Sequence, residues 1–254
     1  IIDVPNGRRI SFGELDARVR RLANGLKSLG GVAQGARIAI LAKNCIEYLE
    51  LFYACGRAGL IAQPLNWRLA VPELARIVLE GEPAVVLTSA DLRAERDALQ
   101  SLADVPHWLE FGAASDGSYE DLVAGASDAE PAGSEGIGGD DPLLILYTGG
   151  TTGESKGALH SHRSIYMGML NQTVAERIVP SDVYMLTGQM FHIPVGLAMN
   201  YMAHGCPLVL VNFEARQALE LIQEEKVSAF LGITTMLNWM MAVENFGAYD
   251  LRSL

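Results

Sequence analysis

The chain has 254 residues, of which half are hydrophobic, 19% are charged and 26 are glycine. This length is enough for one large domain or two ordinary ones with packed cores, and the composition excludes a disordered protein. The formal net charge of −11 opposes binding to phosphate backbones, so no nucleic-acid partner is expected. No stretch approaches the roughly 20 apolar residues of a membrane-spanning helix, so no transmembrane segment is predicted.

The cysteines indicate a reducing environment. Cys45, Cys55 and Cys206 are odd in number and lack metal-ligand spacing, so they are predicted to be packing residues in a cytoplasmic protein. The chain begins with Ile1 rather than Met and ends at Leu254 without a polar tail, which predicts a piece of a longer protein. A homodimer is left open.

Strands and helices alternate along the first hundred residues. Ser11 and Glu14 have the spacing of a capping box, and Gly30 ends the helix that follows. The predicted elements are a helix over 11–29, strand 37–42, helix 46–57, extended segment 60–65, a helix from residue 72, strand 84–88 and helix 92–102. This alternation predicts βαβ units and a mostly parallel sheet.

The segment 115–141 interrupts the alternation. It carries eight acidic residues and no basic ones, and it is predicted to be a solvated connection with a short helix over 119–123. The alternation then resumes. The predicted elements are strand 143–147, a helix from Ser161 or Ser164 to 178, strands 183–186, 207–211 and 229–231, and helices 195–204, 215–225 and 235–244.

The segment that follows the strand at 143–147 carries the sharpest chemical signal. It reads YTGGTTGESKG from Tyr147 to Gly157. Glycines let backbone N–H groups converge on an anion, and threonine hydroxyls and Lys156 add donors and a positive charge. The carboxyl edge of a sheet is also where α/β proteins bind ligands. These features predict a polyphosphate-binding loop, and the alternative is a surface turn without a ligand.

The loop differs from a Walker motif. Glu154 and Ser155 separate Gly153 from Lys156, and Gly157 is a poor first residue for a helix. We therefore expect a strand, a loop and a second strand, with no helix dipole to hold phosphate. A P-loop phosphotransferase, the alternative, requires a helix directly after Lys156.

The loop resembles the phosphate-binding signature of adenylate-forming enzymes, Tyr-Thr-Ser-Gly-Thr-Thr-Gly-x-Pro-Lys-Gly. Gly149 replaces the family's Ser and Ser155 replaces its Pro. Three further segments are similar to family motifs in the right order. These are 44–69, which ends in the acyl-CoA ligase-like PLNWRL, then 189–196 (QMFHIPVG), and 232–237 (GITTML). From the residues alone, Asn66, Trp67 and Arg68 are interpreted as a turn, a packing ring and a surface cation.

The resemblance implies an α/β fold of two stacked subdomains with mostly parallel sheets, forming the amino-terminal part of an adenylate-forming enzyme. One subdomain would span 35–179 and include the phosphate-binding loop. The second, incomplete, would combine 1–34 with 180–254.

The resemblance also implies an ATP-dependent carboxylic acid–CoA ligase, a fatty acyl-CoA synthetase that acts through an acyl-adenylate with Mg²⁺ and coenzyme A. Its alternatives are an aryl- or short-chain acid–CoA ligase and a truncated, non-catalytic nucleotide-binding fragment.

The implied catalytic residues are Lys156, which pairs with phosphate, and His192, which neighbours the substrate carboxylate without transferring a proton. Thr148 would contact the metal. The implied nucleotide-binding residues are Thr148, Gly149, Gly150, Thr151, Thr152, Gly153, Lys156 and Gly157. The family's adenine loop, magnesium-binding glutamate and catalytic lysine would follow Leu254, so residues 1–254 alone are expected to be inactive.

Overall fold

The computed structural model describes residues 1–148 and 155–254. Contacts between residues divide the chain into two units, each with its own β-sheet. The five-stranded unit comprises Ile1–Ser11, Asn44–Ile46 and Met167–Leu254, and the six-stranded unit comprises Phe12–Lys43 and Glu47–Tyr166. Both sheets are mostly parallel and carry helices, so the predicted α/β class is confirmed.

The elements follow the predicted alternation. The strands are β1 (Ile2–Asp3), β2 (Arg8–Arg9), β3 (Arg37–Leu41), β4 (Ile61–Leu65), β5 (Val85–Ser89), β6 (His107–Phe111), β7 (Pro142–Thr148), β8 (Lys156–Ser161), β9 (Tyr184–Leu186), β10 (Leu208–Leu210) and β11 (Ala229–Phe230). The α-helices are α1 (Phe12–Ser28), α2 (Ile46–Ala58), α3 (Val71–Gly81), α4 (Arg93–Gln100), α5 (Ser118–Gly125), α6 (His162–Glu176), α7 (Pro194–Ala203), α8 (Ala215–Glu225) and α9 (Thr234–Met241). Short 3₁₀ turns lie at Ala90–Leu92, Ser134–Gly136 and Phe246–Ala248.

The larger sheet has the order β6-β5-β3-β4-β7-β8. Neighbouring strands in this sheet are parallel, except that the edge strand β8 runs antiparallel to β7. The central strand β3 is buried along Ile38, Ala39, Ile40 and Leu41, as expected for a parallel strand that is covered on both faces. Apolar residues of α3, spaced for one helix face, pack into the same core.

The smaller sheet has the order β11-β9-β10-β1-β2. β1, β10, β9 and β11 are parallel, and β2 pairs with β1 in the antiparallel sense. The buried positions of α8, which include Leu219 and Ile222, pack with Met185 and Val209 of the sheet. The carboxyl ends of β9, β10 and β11 therefore lie at one edge of this sheet.

Helix α1 belongs to the six-stranded unit, whereas the sequence prediction placed residues 1–34 in the other subdomain. Its Arg18 donates to Glu50 of α2 at 2.6 Å and to Glu120 of α5 at 2.8 Å. The boundary that the family resemblance implied did not include these bonds, which join residues far apart in the chain.

The acidic segment is mostly exposed and contains the short helix α5, as predicted, and side chains of the six-stranded unit also bond to it. The amide of Asn24 on α1 donates to the carbonyls of Ser127 and Ala129, at 2.9 Å each. Arg57 of α2 pairs with Glu130 at 2.5 Å. Polar and basic side chains thus fasten this segment along the six-stranded unit.

Some local expectations differ from the structure. Strands β1, β2 and β6 were not predicted, and α4 and α9 end before their predicted limits. Among the described residues, no helix combines the length and the apolarity needed to cross a bilayer.

Candidate active site

The predicted phosphate-binding loop joins two antiparallel strands. Thr148 is the last residue of β7, Lys156 is the first residue of β8, and the two are register partners. Both are exposed, and β8 forms the edge of the sheet. This confirms the predicted strand–loop–strand arrangement. The P-loop alternative is wrong, since a strand and not a helix follows the loop.

Five predicted nucleotide-binding residues lie outside the described part of the chain. They are Gly149, Gly150, Thr151, Thr152 and Gly153. Their role stays a prediction, and so do the assigned roles of Thr148, Lys156 and Gly157.

Gly157 has a packing role that the sequence did not indicate. It pairs with Tyr147 across the two strands. A Cβ atom at this position would lie 2.7 Å from Cδ1 of Ile145 and 3.2 Å from Cζ of Tyr147. Glycine therefore lets β8 lie close to these side chains, whatever it also does for phosphate.

The loop that carries His192 lies in the five-stranded unit, between β9 and α7. The imidazole is exposed, and its Nδ1 accepts a hydrogen bond from the backbone N–H of Ile193 at 2.8 Å. A neutral imidazole in this arrangement must carry its proton on Nε2, because the amide can only donate. His192 thus presents an N–H donor.

Asn44 is the residue whose role sequence reasoning missed. It was noted only as the start of a family-like segment, yet it is buried and hydrogen-bonded to residues 188, 190 and 211. An asparagine between a strand and a helix usually indicates a cap, so no local signal identifies partners more than 140 residues away.

The strand end after β4 has the structural features proposed for it. The side chain of Asn66 accepts from the N–H of Arg68 at 3.0 Å, which forms a turn. Trp67 packs against the core, and Arg68 and Lys43 lie 5.1 and 5.7 Å from the centre of its ring. The aromatic ring and both cations are thereby accounted for without a ligand.

The described residues show no cluster of three or more His, Cys, Asp or Glu side chains that could hold a metal ion. Thr148 supplies one hydroxyl oxygen. Since Mg²⁺ prefers octahedral oxygen ligation, a Thr148 contact requires oxygens from other sources, such as the phosphates of a nucleotide.

The chain is similar to several known proteins. It is 33% identical to the long-chain-fatty-acid–CoA ligase FadD13 of Mycobacterium tuberculosis over 95% of this chain and 48% of the relative. It is 34% identical to the indoleacetate–CoA ligase of Aromatoleum aromaticum over 97% of this chain and 49% of the relative. The chain thus spans about half the length of the curated relatives it matches.

Solved structures agree with these matches. The inhibitor-bound amino-terminal domain of FACL13 from Mycobacterium tuberculosis superposes with a TM-score of 0.92 at 30% identity, over 100% of this chain and 63% of that one. ATP-bound MatB from Rhodopseudomonas palustris gives 0.79 at 29%, over 94% and 47%. The family model described as "AMP-binding enzyme" matches residues 1–254. The chain therefore belongs to the family of AMP-binding enzymes.

Proposed function

We propose that the protein is an ATP-dependent carboxylic acid–CoA ligase that acts through an acyl-adenylate, with a fatty acid as its substrate. The observation that carries this proposal is that Thr148 and Lys156 are paired at the two ends of a Gly- and Thr-rich loop, at the edge of a sheet. It places a hydroxyl and an ammonium group side by side at the base of a segment whose composition suits phosphate.

In the first step, a carboxylate oxygen attacks the α-phosphorus of ATP, and pyrophosphate leaves. This step needs positive charge and hydrogen-bond donors on the leaving phosphates more than it needs a base. Lys156 supplies the charge and Thr148 a hydroxyl, and residues 149–153 are assigned backbone and hydroxyl donors. Mg²⁺ bound with ATP would add further charge, and Thr148 is the proposed contact to it.

His192 is proposed to neighbour the acid. Its Nε2–H is free to donate to a carboxylate oxygen because Nδ1 is occupied by the N–H of Ile193. A general base is unnecessary, since the acid is already ionised at neutral pH. In the second step, the thiol sulfur of coenzyme A attacks the acyl carbon, AMP leaves, and the thiol proton is released to solvent.

The named relatives favour two different classes of acid. Identity of about one third to a long-chain-fatty-acid–CoA ligase supports a fatty acid, and similar identity to an indoleacetate–CoA ligase supports an aryl acid as the alternative. A second alternative is a non-catalytic nucleotide-binding role for residues 1–254. We propose that these residues alone do not complete the reaction, because the relatives are about twice as long.

The proposal is tested by acid-dependent exchange of pyrophosphate into ATP, measured on the full natural chain with fatty, aryl and short-chain acids. Lys156→Ala is expected to lower the exchange rate about 10²–10³-fold, as expected for a lost donor to transition-state charge. The matched control is Lys226→Ala, which removes another exposed lysine, at the C-terminus of α8.

The control is expected to retain its exchange rate. Wild-type exchange in the Lys156 variant would refute the role of this lysine. If none of the acids in the panel supports exchange, the ligase proposal is refuted. If only aryl acids support exchange, the protein is an aryl acid–CoA ligase, the first alternative.

A further inference from the structure

Asn44 lies buried in the five-stranded unit, and its side chain bonds to two strand ends. Its Nδ2 donates to the carbonyl of Gly188 at 2.7 Å and to that of Val211 at 2.9 Å. Its Oδ1 accepts from the N–H of Met190 at 2.9 Å. The two carbonyls and the one N–H also fix which side-chain atom is oxygen and which is nitrogen.

The partners of Asn44 lie in irregular backbone, where no sheet or helix supplies hydrogen bonds. Gly188 and Met190 follow β9, and Val211 follows β10. One asparagine therefore bonds both ends of the turn 188–190 and holds it against the end of the neighbouring strand. The N–H of Asn44 itself donates to Oδ1 of Asn212 at 3.2 Å, which orients the asparagine in turn.

The same turn leads directly to His192. The N–H of His192 donates to the carbonyl of Gln189 at 3.2 Å, which links the histidine backbone to this turn. On the other side, a Cβ atom at Gly188 would lie 2.5 Å from Cγ of Pro194. The loop 188–194 is thus folded back on itself, with the amide of Asn44 at its base.

We propose that Asn44 is a positioning residue that holds the loop 188–194 so that His192 faces the carboxylate of the acid substrate. The inference rests on the proposed function. Asn44 also contributes stability, because its three partners are backbone groups that would be left unpaired without the amide. Its positioning role is separate from that contribution and is measured by substrate binding rather than by unfolding. What the amide supplies is a fixed geometry for three backbone groups.

The test is Asn44→Asp in the full natural chain. The substitution keeps the shape and the acceptor for Met190, but it turns the donor to Gly188 and Val211 into an oxygen that repels both carbonyls. We expect the KM for the acid to rise about tenfold or more, because a misplaced substrate-positioning group weakens productive binding. The KM for ATP should change less than twofold, since no ATP residue is assigned to this loop.

Asn200→Asp is the matched control. Asn200 is also a buried asparagine of the five-stranded unit, and its Nδ2 donates to Met169, Gln172 and Thr173 of α6 at 2.9–3.2 Å. Both substitutions should lower the thermal midpoint, because each removes buried hydrogen-bond donors, yet Asn200→Asp should leave the KM for the acid within twofold. A rise in the KM for the acid in Asn44→Asp but not in Asn200→Asp is expected only if Asn44 positions the loop 188–194.

The outcomes distinguish this inference from the proposed function. A folded Asn44→Asp protein with the wild-type KM for the acid overturns the inference, as does an equal rise in the Asn200→Asp protein. If Asn44→Asp does not fold, Asn44→Ser, which removes the same bonds without adding charge, must show the same selective rise or the inference fails. A wild-type chain that activates no acid refutes the proposed function first and this inference with it.

Discussion

The side chain of Tyr119 provides a sharp test of how the six-stranded unit is stabilised. Its ring is fully buried on α5, and its hydroxyl donates to Oε2 of Glu50 at 2.5 Å. Glu50 is fully buried on α2 and also accepts two hydrogen bonds from Arg18, at 2.6 and 3.2 Å. Burial, together with the charge of Glu50, raises the pKa of Tyr119 well above its ordinary value, so the hydroxyl remains a donor at any working pH.

Tyr119→Phe removes this donor and keeps the ring. The buried carboxylate then retains only the bonds from Arg18. Hydrogen bonds to charged groups contribute about 1.5–3 kcal/mol, and this is the loss expected in the free energy of unfolding. In a Glu50→Gln background the same substitution should cost only about 0.5–1.5 kcal/mol, because the acceptor is then neutral.

Urea unfolding followed by tryptophan fluorescence measures the loss. Trp67 and Trp108 lie in the six-stranded unit and Trp239 in the other, so a Trp239→Phe background makes the signal specific to the unit under test. The free-energy change is the shift in midpoint multiplied by the slope m. The control is Tyr166→Phe, whose side chain is 59% exposed and whose cost should stay within about 0.5 kcal/mol.

A loss below about 0.5 kcal/mol for Tyr119→Phe would show that the bond to Glu50 contributes nothing and would refute the reasoning. An equal loss in the Glu50→Gln background would also contradict it, because the charge of the acceptor would then not matter.

Three further predictions concern stability. Gly81→Ala should destabilise the protein by about 1 kcal/mol or more, because a Cβ atom there would lie 2.2 Å from the buried side-chain amide of Gln63. Gly168→Ala, in open space on α6, should stabilise the protein by about 0.5–1 kcal/mol. A raised thermal midpoint for Gly81→Ala would contradict the first prediction, and a lowered one for Gly168→Ala would contradict the second. Glu110 is buried, and hydrogen bonds from Arg93 at 2.8 Å hold the pKa of its carboxyl below the ordinary value. Its stabilisation is therefore present above the unfolded-state pKa of about 4.3 and is lost as pH falls through the lower folded pKa. Glu110→Gln should lower the thermal midpoint at pH 7 and flatten its decline from pH 5 to pH 3, and parallel curves for the two proteins would refute this.

Much of the fold could be predicted from the sequence because its signals are local. The apolar run of β3 and the helical spacing in α1 and α3 depend on neighbouring residues alone, and so does the poor helix-forming sequence after Lys156 that predicted β8. The order of residues in the loop 147–157 likewise carried the family resemblance. Each of these features is expressed within a dozen residues of chain.

Only the tertiary structure decided the rest, because the remaining contacts join residues that the sequence does not bring together. Strand β1 has two residues, which are too few to give a periodic signal, and it is defined by its pairing with β10 on one side and β2 on the other. Tyr119 meets Glu50 across 69 positions of sequence, and Asn44 meets Gly188 across 144. A buried polar side chain requires a partner, but chemistry alone does not say which one, and packing makes that choice.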